Sequence, residues 1–433
     1  MRHSDQLSTQ ILMERYVAPN YGRFPVAMSH GQGSYLWDEN DRKYLDFGTG
    51  IAVCSLGHRH GAITSAVHGQ IERLVHCSNL YHVREQAILA RHLVENVVNE
   101  PGKVFFCNSG AEANETLIKL ARKFGIAVPK AGGEPRTEVI TFNGSFHGRT
   151  MGGISATAQP KAKDGFAPLL EGFRHVPFND VAALKKAITP ETVAILLEPV
   201  QGEGGINVAT VKFLTAIAKI CREHQVLLLL DEVQCGIGRV GHLCGWKAIL
   251  DSEDFAPDAI SWAKGVGGGV PIGATWTRQR PVSQELPELH LCDLLGPGSH
   301  GSTFGGGPLV ATTSLAVLEE IQQHRLWENA TSQGDYLKKA IQSWENPLVK
   351  DVRGLGLMLG IVLDETQMSH HPEFAESKAT PAVFAVTQLM NAGLLTIPAG
   401  PEVVRLLPAL NIGKPEADEA LKILKSTFEK LIA

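Results

Sequence analysis

No apolar run in this 433-residue chain comes near the eighteen or so residues that cross a bilayer, which argues against a membrane protein. From Met1 to Arg23 charges alternate with isolated apolar side chains, so the continuous apolar centre of a secretory signal is missing. Cysteines are few and odd in number: Cys54, Cys77, Cys107, Cys221, Cys235, Cys244 and Cys292 show no CxxC spacing, which speaks against a disulfide framework and a zinc cluster. A reducing, cytoplasmic setting fits best. Lys and Arg are scattered and the formal charge is -5, leaving no electrostatic footprint for nucleic acid or anionic lipid. The phosphate-binding pattern GxxxxGK[ST] is missing as well, and His58 and His60 lack further ligands at metal spacing, so no metal is assigned.

What is present is a 44% hydrophobic, 20% charged chain, the composition of a folded protein whose partner is a small molecule. Its length predicts two packed units with one dominant core. From Val104 to Trp262 short apolar runs alternate with segments of helical period, the pattern of an α/β fold with a mostly parallel sheet covered on both faces. Val104 to Cys107, Val139 to Phe142, Val193 to Leu197, Val226 to Leu230 and Ala259 to Trp262 read as strands. After the first, Leu117, Ile118, Ala121 and Phe124 form one helical stripe that Gly125 is expected to stop. Phe213, Leu214, Ile217, Ile220 and Cys221 mark an amphipathic crossover helix. The flanks, with short strands near Tyr35 and Val403 and a last helix starting near Pro415, suggest a smaller α+β domain. Arg278 to Gly301 reads as a long loop of the functional or mobile kind.

In open sheets of this kind ligands bind beyond the carboxyl ends of the strands. Those ends carry Asn108-Ser109-Gly110, Asn143 to Arg149, Glu198, Asp231 to Gln234 and Ala263-Lys264, so five strand ends converge on one crevice. Ser109-Gly110-Ala111-Glu112-Ala113 opens a helix whose free N–H groups would suit a phosphate; alone, an ordinary capped turn is the commoner reading. Lys264 closes an apolar run ahead of a glycine cluster. A buried amine there must be neutralised, and condensation with an aldehyde cofactor would do so as a Schiff base; a snorkelling lysine is the bland alternative. Asp231, after five apolar residues, needs a cationic partner such as a pyridinium nitrogen, with magnesium ligation the weaker rival. Phe146 could stack on an aromatic cofactor and Arg149 could take a carboxylate, while His147 is as readily a structural histidine.

Together with Ser302-Thr303-Phe304-Gly305-Gly306, these segments occur in the order found in class III aminotransferases, and the chain resembles that family over nearly its whole length. The resemblance implies the aspartate-aminotransferase-like type I fold of pyridoxal 5'-phosphate enzymes, acting as a homodimer. The division it implies is an N-terminal segment 1–57, a large domain 58–325 and a small domain 326–433. It further implies that Ser109, Gly110 and Ala111 hold the phosphate, Phe146 stacks on the ring, Asp231 meets the ring nitrogen, Val233 packs beneath it and Gln234 reaches its phenolic oxygen. Lys264 would be the Schiff-base lysine and the base, and Thr303 would complete the neighbouring subunit's phosphate site. Tyr21, Arg149, Glu203, Ser302 and Arg405 would serve the substrate, with Glu203 closing on Arg405 for a donor of one carboxylate and opening for 2-oxoglutarate. Gly50 to Val53, Ser155 to Lys161 and Val176 to Asp180 are most similar to acetylornithine aminotransferases. That likeness implies transfer of the terminal amino group of N2-acetylornithine to 2-oxoglutarate in arginine biosynthesis. Ornithine, succinylornithine and 4-aminobutyrate transaminases are the near alternatives; an aminomutase or a non-catalytic cofactor-binding protein are the distant ones. Phe304 and Gly307 stand where the subgroup has Tyr and Asn, and the segments at 248–255 and 278–296 are longer than usual.

Overall fold

The computed structural model describes residues 8–432; the first seven residues of the expected N-terminal segment, and Ala433 at the end of the last, lie outside the described residues. The dominant element is a seven-stranded sheet built from residues between Gly102 and Arg278. Its spatial order is Gly102–Cys107, Gly273–Arg278, Ala259–Trp262, Leu227–Asp231, Thr192–Leu197, Glu138–Phe142 and Phe173–Val176. Gly273–Arg278 runs antiparallel to both of its neighbours, and the pairings among the remaining five consecutive strands are parallel.

Successive side chains on a strand point to opposite faces, so a strand buried on both sides must be apolar throughout. Leu227 and Leu229 pack with Leu117, Phe124 and Val139, whereas Leu228 and Leu230 pack on the other face with Ile195 and Phe213. There Phe142, Phe178 and Phe213 meet edge to face, with centroids 5.2–6.0 Å apart, in the geometry that aromatic quadrupoles favour. The helix Val211–His224 buries its whole predicted stripe on this face.

The opposite face is covered by the helix Gly110–Ala127, which corrects one expectation: Gly125 does not end it. A Cβ there would lie 1.9 Å from the carbonyl oxygen of Arg136, so this glycine serves close packing rather than termination. Two strands of the large sheet escaped the sequence reading. Phe173-Arg174-His175-Val176 is a short polar edge, and Gly273–Arg278 is obscured by the glycines before it. The segment after Arg278 is anchored, with Val282, Leu291 and Leu294 buried in the second core cluster and Pro281 bridged to His290. Lys119 Nζ donates to Ser299 O at 3.0 Å and fastens its far end to the covering helix.

Outside the large sheet, strands Met28–Gln32, Tyr35–Asp38 and Lys43–Asp46 form a small sheet that Leu394–Leu395 completes. Val349–Leu355, Met358–Leu363, Val403–Leu406 and Ile397–Ala399 form another four-stranded sheet. The last helix, Lys414–Lys430, has proline in its first turn and buries Leu424 and Phe428. No helix among the described residues is long and apolar enough to cross a membrane.

Candidate active site

Where Ala259–Trp262 ends, the chain turns sharply and Lys264 takes a left-handed conformation with φ of +47°. A side chain with a Cβ pays for that conformation and keeps it only where its surroundings impose it. Here Ser55 Oγ donates to Gly265 O at 2.9 Å, and Gly267 N closes back on Lys264 O at 2.9 Å. The Lys264 side chain lines a cavity of about 450 Å³ at the carboxyl ends of the strands, within the usual range for small-ligand sites. Loss of solvent pulls its ammonium below the ordinary lysine value, with Glu203 opposing and Arg405 adding to the effect.

Asp231 lines the same cavity and is 4% exposed. Its Oδ2 accepts from Asn114 Nδ2 at 2.6 Å and lies 2.8 Å from His147 Nδ1; its Oδ1 accepts from Val233 N at 3.0 Å. Three partners offset the cost of burying this carboxylate. Asn114 is itself held by Ser261, whose Oγ donates to Asn114 Oδ1 at 2.7 Å, and it donates in turn to His147 O at 3.0 Å. Sequence reasoning missed Asn114 and left His147 open. A signal for the first existed: position 114 falls on the stripe of Leu117, Ile118 and Ala121, where an amide is costly unless it has work to do.

Ser109 caps the helix Gly110–Ala127, its Oγ accepting from Glu112 N at 3.2 Å. The first amides of a helix have no intrahelical acceptor, and Gly110 and Ala111, in that first turn, both line the cavity. Gly110 can be nothing larger, because a Cβ would meet Val233 Cγ1 at 2.7 Å. Phe146 and Val233 both line the cavity, and the guanidinium of Arg149 stands 5.4 Å from the Phe146 ring centroid. Glu198, just past the strand Thr192–Leu197, is raised to about 7 by burial and by the nearby charge of Asp231.

Arg405 is fully buried on the strand Val403–Leu406, and its Nη1 donates to Glu203 Oε1 at 2.6 Å and to Gln234 Oε1 at 2.8 Å. Burial alone would push the Glu203 carboxyl up, but the charge and hydrogen bond of Arg405 hold it below the usual range. The pair is therefore closed, with Gln234 as its second acceptor.

Three expected residues lie apart from this cavity within one chain. Tyr21 is 70% exposed and belongs to a separate cavity formed by the N-terminal helix and the first strand. Thr303 is exposed, and Ser302 reaches only the rim, where its Oγ accepts from Asn108 Nδ2 at 3.0 Å.

A strained lysine and a buried carboxylate line the crevice at the strand ends of this α/β fold, with an arginine paired to a glutamate beside them. The family model of class III aminotransferases matches residues 16–428, and the chain belongs to that family. It is 42% identical over 429 residues to the acetylornithine aminotransferase of Gloeobacter violaceus, covering 98% of both chains. It is 41% identical over 420 residues to that of Caldanaerobacter subterraneus, covering 96% of this chain and 98% of the relative. Among solved structures, the ornithine aminotransferase of Toxoplasma gondii superposes with a TM-score of 0.87 at 29% identity, covering 98% of this chain and 96% of that one. The N-acetylornithine aminotransferase of Stenotrophomonas maltophilia superposes at 0.78 with 33% identity, covering 98% and 99%.

Proposed function

We propose that this aminotransferase carries pyridoxal 5'-phosphate and moves the terminal amino group of N2-acetylornithine to 2-oxoglutarate, giving N-acetylglutamate 5-semialdehyde and glutamate. The observation that carries the reading is a single cavity lined by the helix-start residues Gly110 and Ala111, the buried Asp231 and the desolvated amine of Lys264. These suit, in turn, the phosphate, the ring nitrogen and the aldehyde of that cofactor. Gly110 supports the fit, since a side chain there would press on Val233 and close the approach to the amides. The Toxoplasma relative has also been solved with PLP at partial occupancy in its active site.

When bound, the cofactor supplies an electron sink that acidifies the amine-bearing carbon of the donor. Lys264 moves the proton at that carbon, a role its lowered ammonium suits because a larger share of the amine is free to accept it. Asp231 would meet the ring nitrogen, and its three partners fix where its carboxyl group stands. Arg149 takes the donor carboxylate. Glu203 masks Arg405 while a donor with one carboxylate is bound, and releases it when 2-oxoglutarate brings a second. The acetylornithine assignment follows the names of relatives at 42% and 41% identity.

The active unit in this reading is a homodimer in the cytoplasm, with domains dividing near residues 57 and 325. Exposed Leu80 (88%), Tyr81 (70%) and Phe304 (63%) support it: Asn79 ties the first two to the Ser302 segment, with Nδ2 donating to Ser302 O at 3.1 Å. Thr303 in that segment would serve the neighbouring cavity. Titrating the holoenzyme with N2-acetylornithine, ornithine, succinylornithine and 4-aminobutyrate, followed by the absorbance change of the cofactor, tests the assignment. The first donor should react with the highest kcat/KM and require 2-oxoglutarate for turnover. Preference for another donor would reassign the substrate, and turnover without 2-oxoglutarate would make the protein an aminomutase.

A further inference from the structure

Glu198 stands between two loops that serve different purposes. Its Oε1 accepts from Phe146 N at 2.9 Å and its Oε2 from Gly202 N at 3.0 Å. The first loop presents Phe146 and Arg149 to the cavity; the second carries Glu203, the residue immediately after Gly202. Each carboxylate oxygen is thus committed to a different loop.

We propose that Glu198 is a positioning residue for substrate selection, its carboxylate joining the loop of Phe146 to the loop of Glu203 and so holding Glu203 against Arg405. The inference rests on the Glu203–Arg405 gate described under the proposed function. Glu203 Oε1 accepts from Arg405 Nη1 at 2.6 Å, a contact that depends on where the backbone at 202–203 is held. Gly202 has little freedom on its other side, since a Cβ would meet the Gln234 side chain at 2.5 Å. Glu198 supplies the acceptor that completes its clamp.

The choice of a carboxylate is informative. Glu198 is only 6% exposed and its carboxyl is pushed up to about 7, so ionising it here is costly. A glutamine of the same shape would avoid that cost, but it has one accepting oxygen and would turn its NH₂ toward the second N–H. Two acceptors on one side chain require the ionised acid. The fold does not depend on this link alone, because Gln201 Nε2 donates to Asn143 O at 2.9 Å and joins the same loops a few residues away.

The test compares Glu198→Gln, Glu203→Ala and the double variant as holoenzymes, each assayed in the half-reactions with glutamate and with the best single-carboxylate donor. Glu198→Gln should lower kcat/KM for the single-carboxylate donor roughly three- to tenfold, chiefly through KM, with the glutamate half-reaction within about twofold of the parent. In the Glu203→Ala background it should change the donor-to-glutamate ratio no further. Ionised Glu198 accepts from both loops only above about 7, so in the parent the ratio should fall as pH drops through that value and in Glu198→Gln it should stay level. The titratable and charged groups that share its surroundings are Asp231, His147, Lys264, Glu203 and Arg149, all of which both proteins retain.

A Glu198→Gln enzyme that slows both half-reactions equally, or whose effect adds to that of Glu203→Ala, overturns the inference. If Glu203→Ala leaves the ratio unchanged, the gate itself fails and the inference goes with it; if Glu203→Ala changes the ratio and Glu198→Gln does not, only the clamp fails. Should Glu198→Gln not fold, Glu198→Asp, which keeps the charge but is one methylene short of spanning both loops, must show the same skewed ratio.

Discussion

Replacing Asn114 by alanine tests the hydrogen-bond network that holds Asp231 in place. The amide joins three partners: its Nδ2 donates to Asp231 Oδ2 at 2.6 Å and to His147 O at 3.0 Å, and its Oδ1 accepts from Ser261 Oγ at 2.7 Å. All of these groups are at most 4% exposed, so water does not readily replace the amide. Truncation removes one hydrogen bond to a charged group, worth about 1.5–3 kcal/mol, and leaves the Ser261 hydroxyl with only its longer contact to Leu230 O at 3.5 Å, a further cost of about 1 kcal/mol. The variant should be destabilised by about 2.5–4 kcal/mol in urea unfolding of the cofactor-free protein. If roughly 1.4 kcal/mol of the loss is support that the bound cofactor also draws on through Asp231, cofactor affinity should drop about tenfold in an absorbance titration. Ser261→Ala, which cuts only the far end of the chain, should cost about 1 kcal/mol and leave cofactor affinity unchanged. An Asn114→Ala protein with parental urea midpoint and parental cofactor affinity would refute the reasoning.

Gly125→Ala should lower stability by more than about 3 kcal/mol, because the new methyl meets backbone at Arg136 and not a side chain that can turn away. Gly61→Ala, with no atom within 4 Å of the added Cβ, is the control and should melt at the parental temperature or above. A third expectation concerns pH. His58 is raised from its ordinary 6.5 to about 9, first by its hydrogen bond to Asp46, whose Oδ2 lies 2.7 Å from His58 Nε2. A histidine that binds its proton more tightly when folded contributes stability that is fully present below 6.5 and lost as pH rises through about 9. The urea midpoint should therefore fall across that window in the parent and fall less in His58→Gln.

Much of the architecture was legible because burial on both faces of a sheet leaves a plain mark. Leu227 to Leu230 could be nothing but a central strand, and Asp231 at its end could only enter the crevice. Gly273–Arg278 was not legible: its glycine start and alternating threonines carry no apolar run, and its antiparallel pairing breaks the rhythm of strand and helix. Gly125 was misread because a glycine late in a helix has two uses, and only the approach of Arg136 decides between them. At the site, Lys264, Asp231 and Arg149 were visible as ionisable groups after apolar runs. Asn114 was passed over because it sits on the buried stripe of its helix beside Leu117, Ile118 and Ala121, which was read as packing alone. The Glu203–Arg405 contact joins residues 202 positions apart, and the family resemblance, not the spacing, suggested it. Tyr21, Ser302 and Thr303 lie apart from the cavity of their own chain, so the roles expected of them stand or fall with the proposed homodimer.

In the proposed reaction the amine of Lys264 forms the covalent link to the aldehyde of the cofactor. Reducing the holoenzyme with borohydride and mapping its peptides measures this directly: one stable adduct is expected, on the peptide containing Lys264, together with a colourless, inactive Lys264→Ala protein. An adduct on a different lysine, or full activity after Lys264 is replaced, would contradict it.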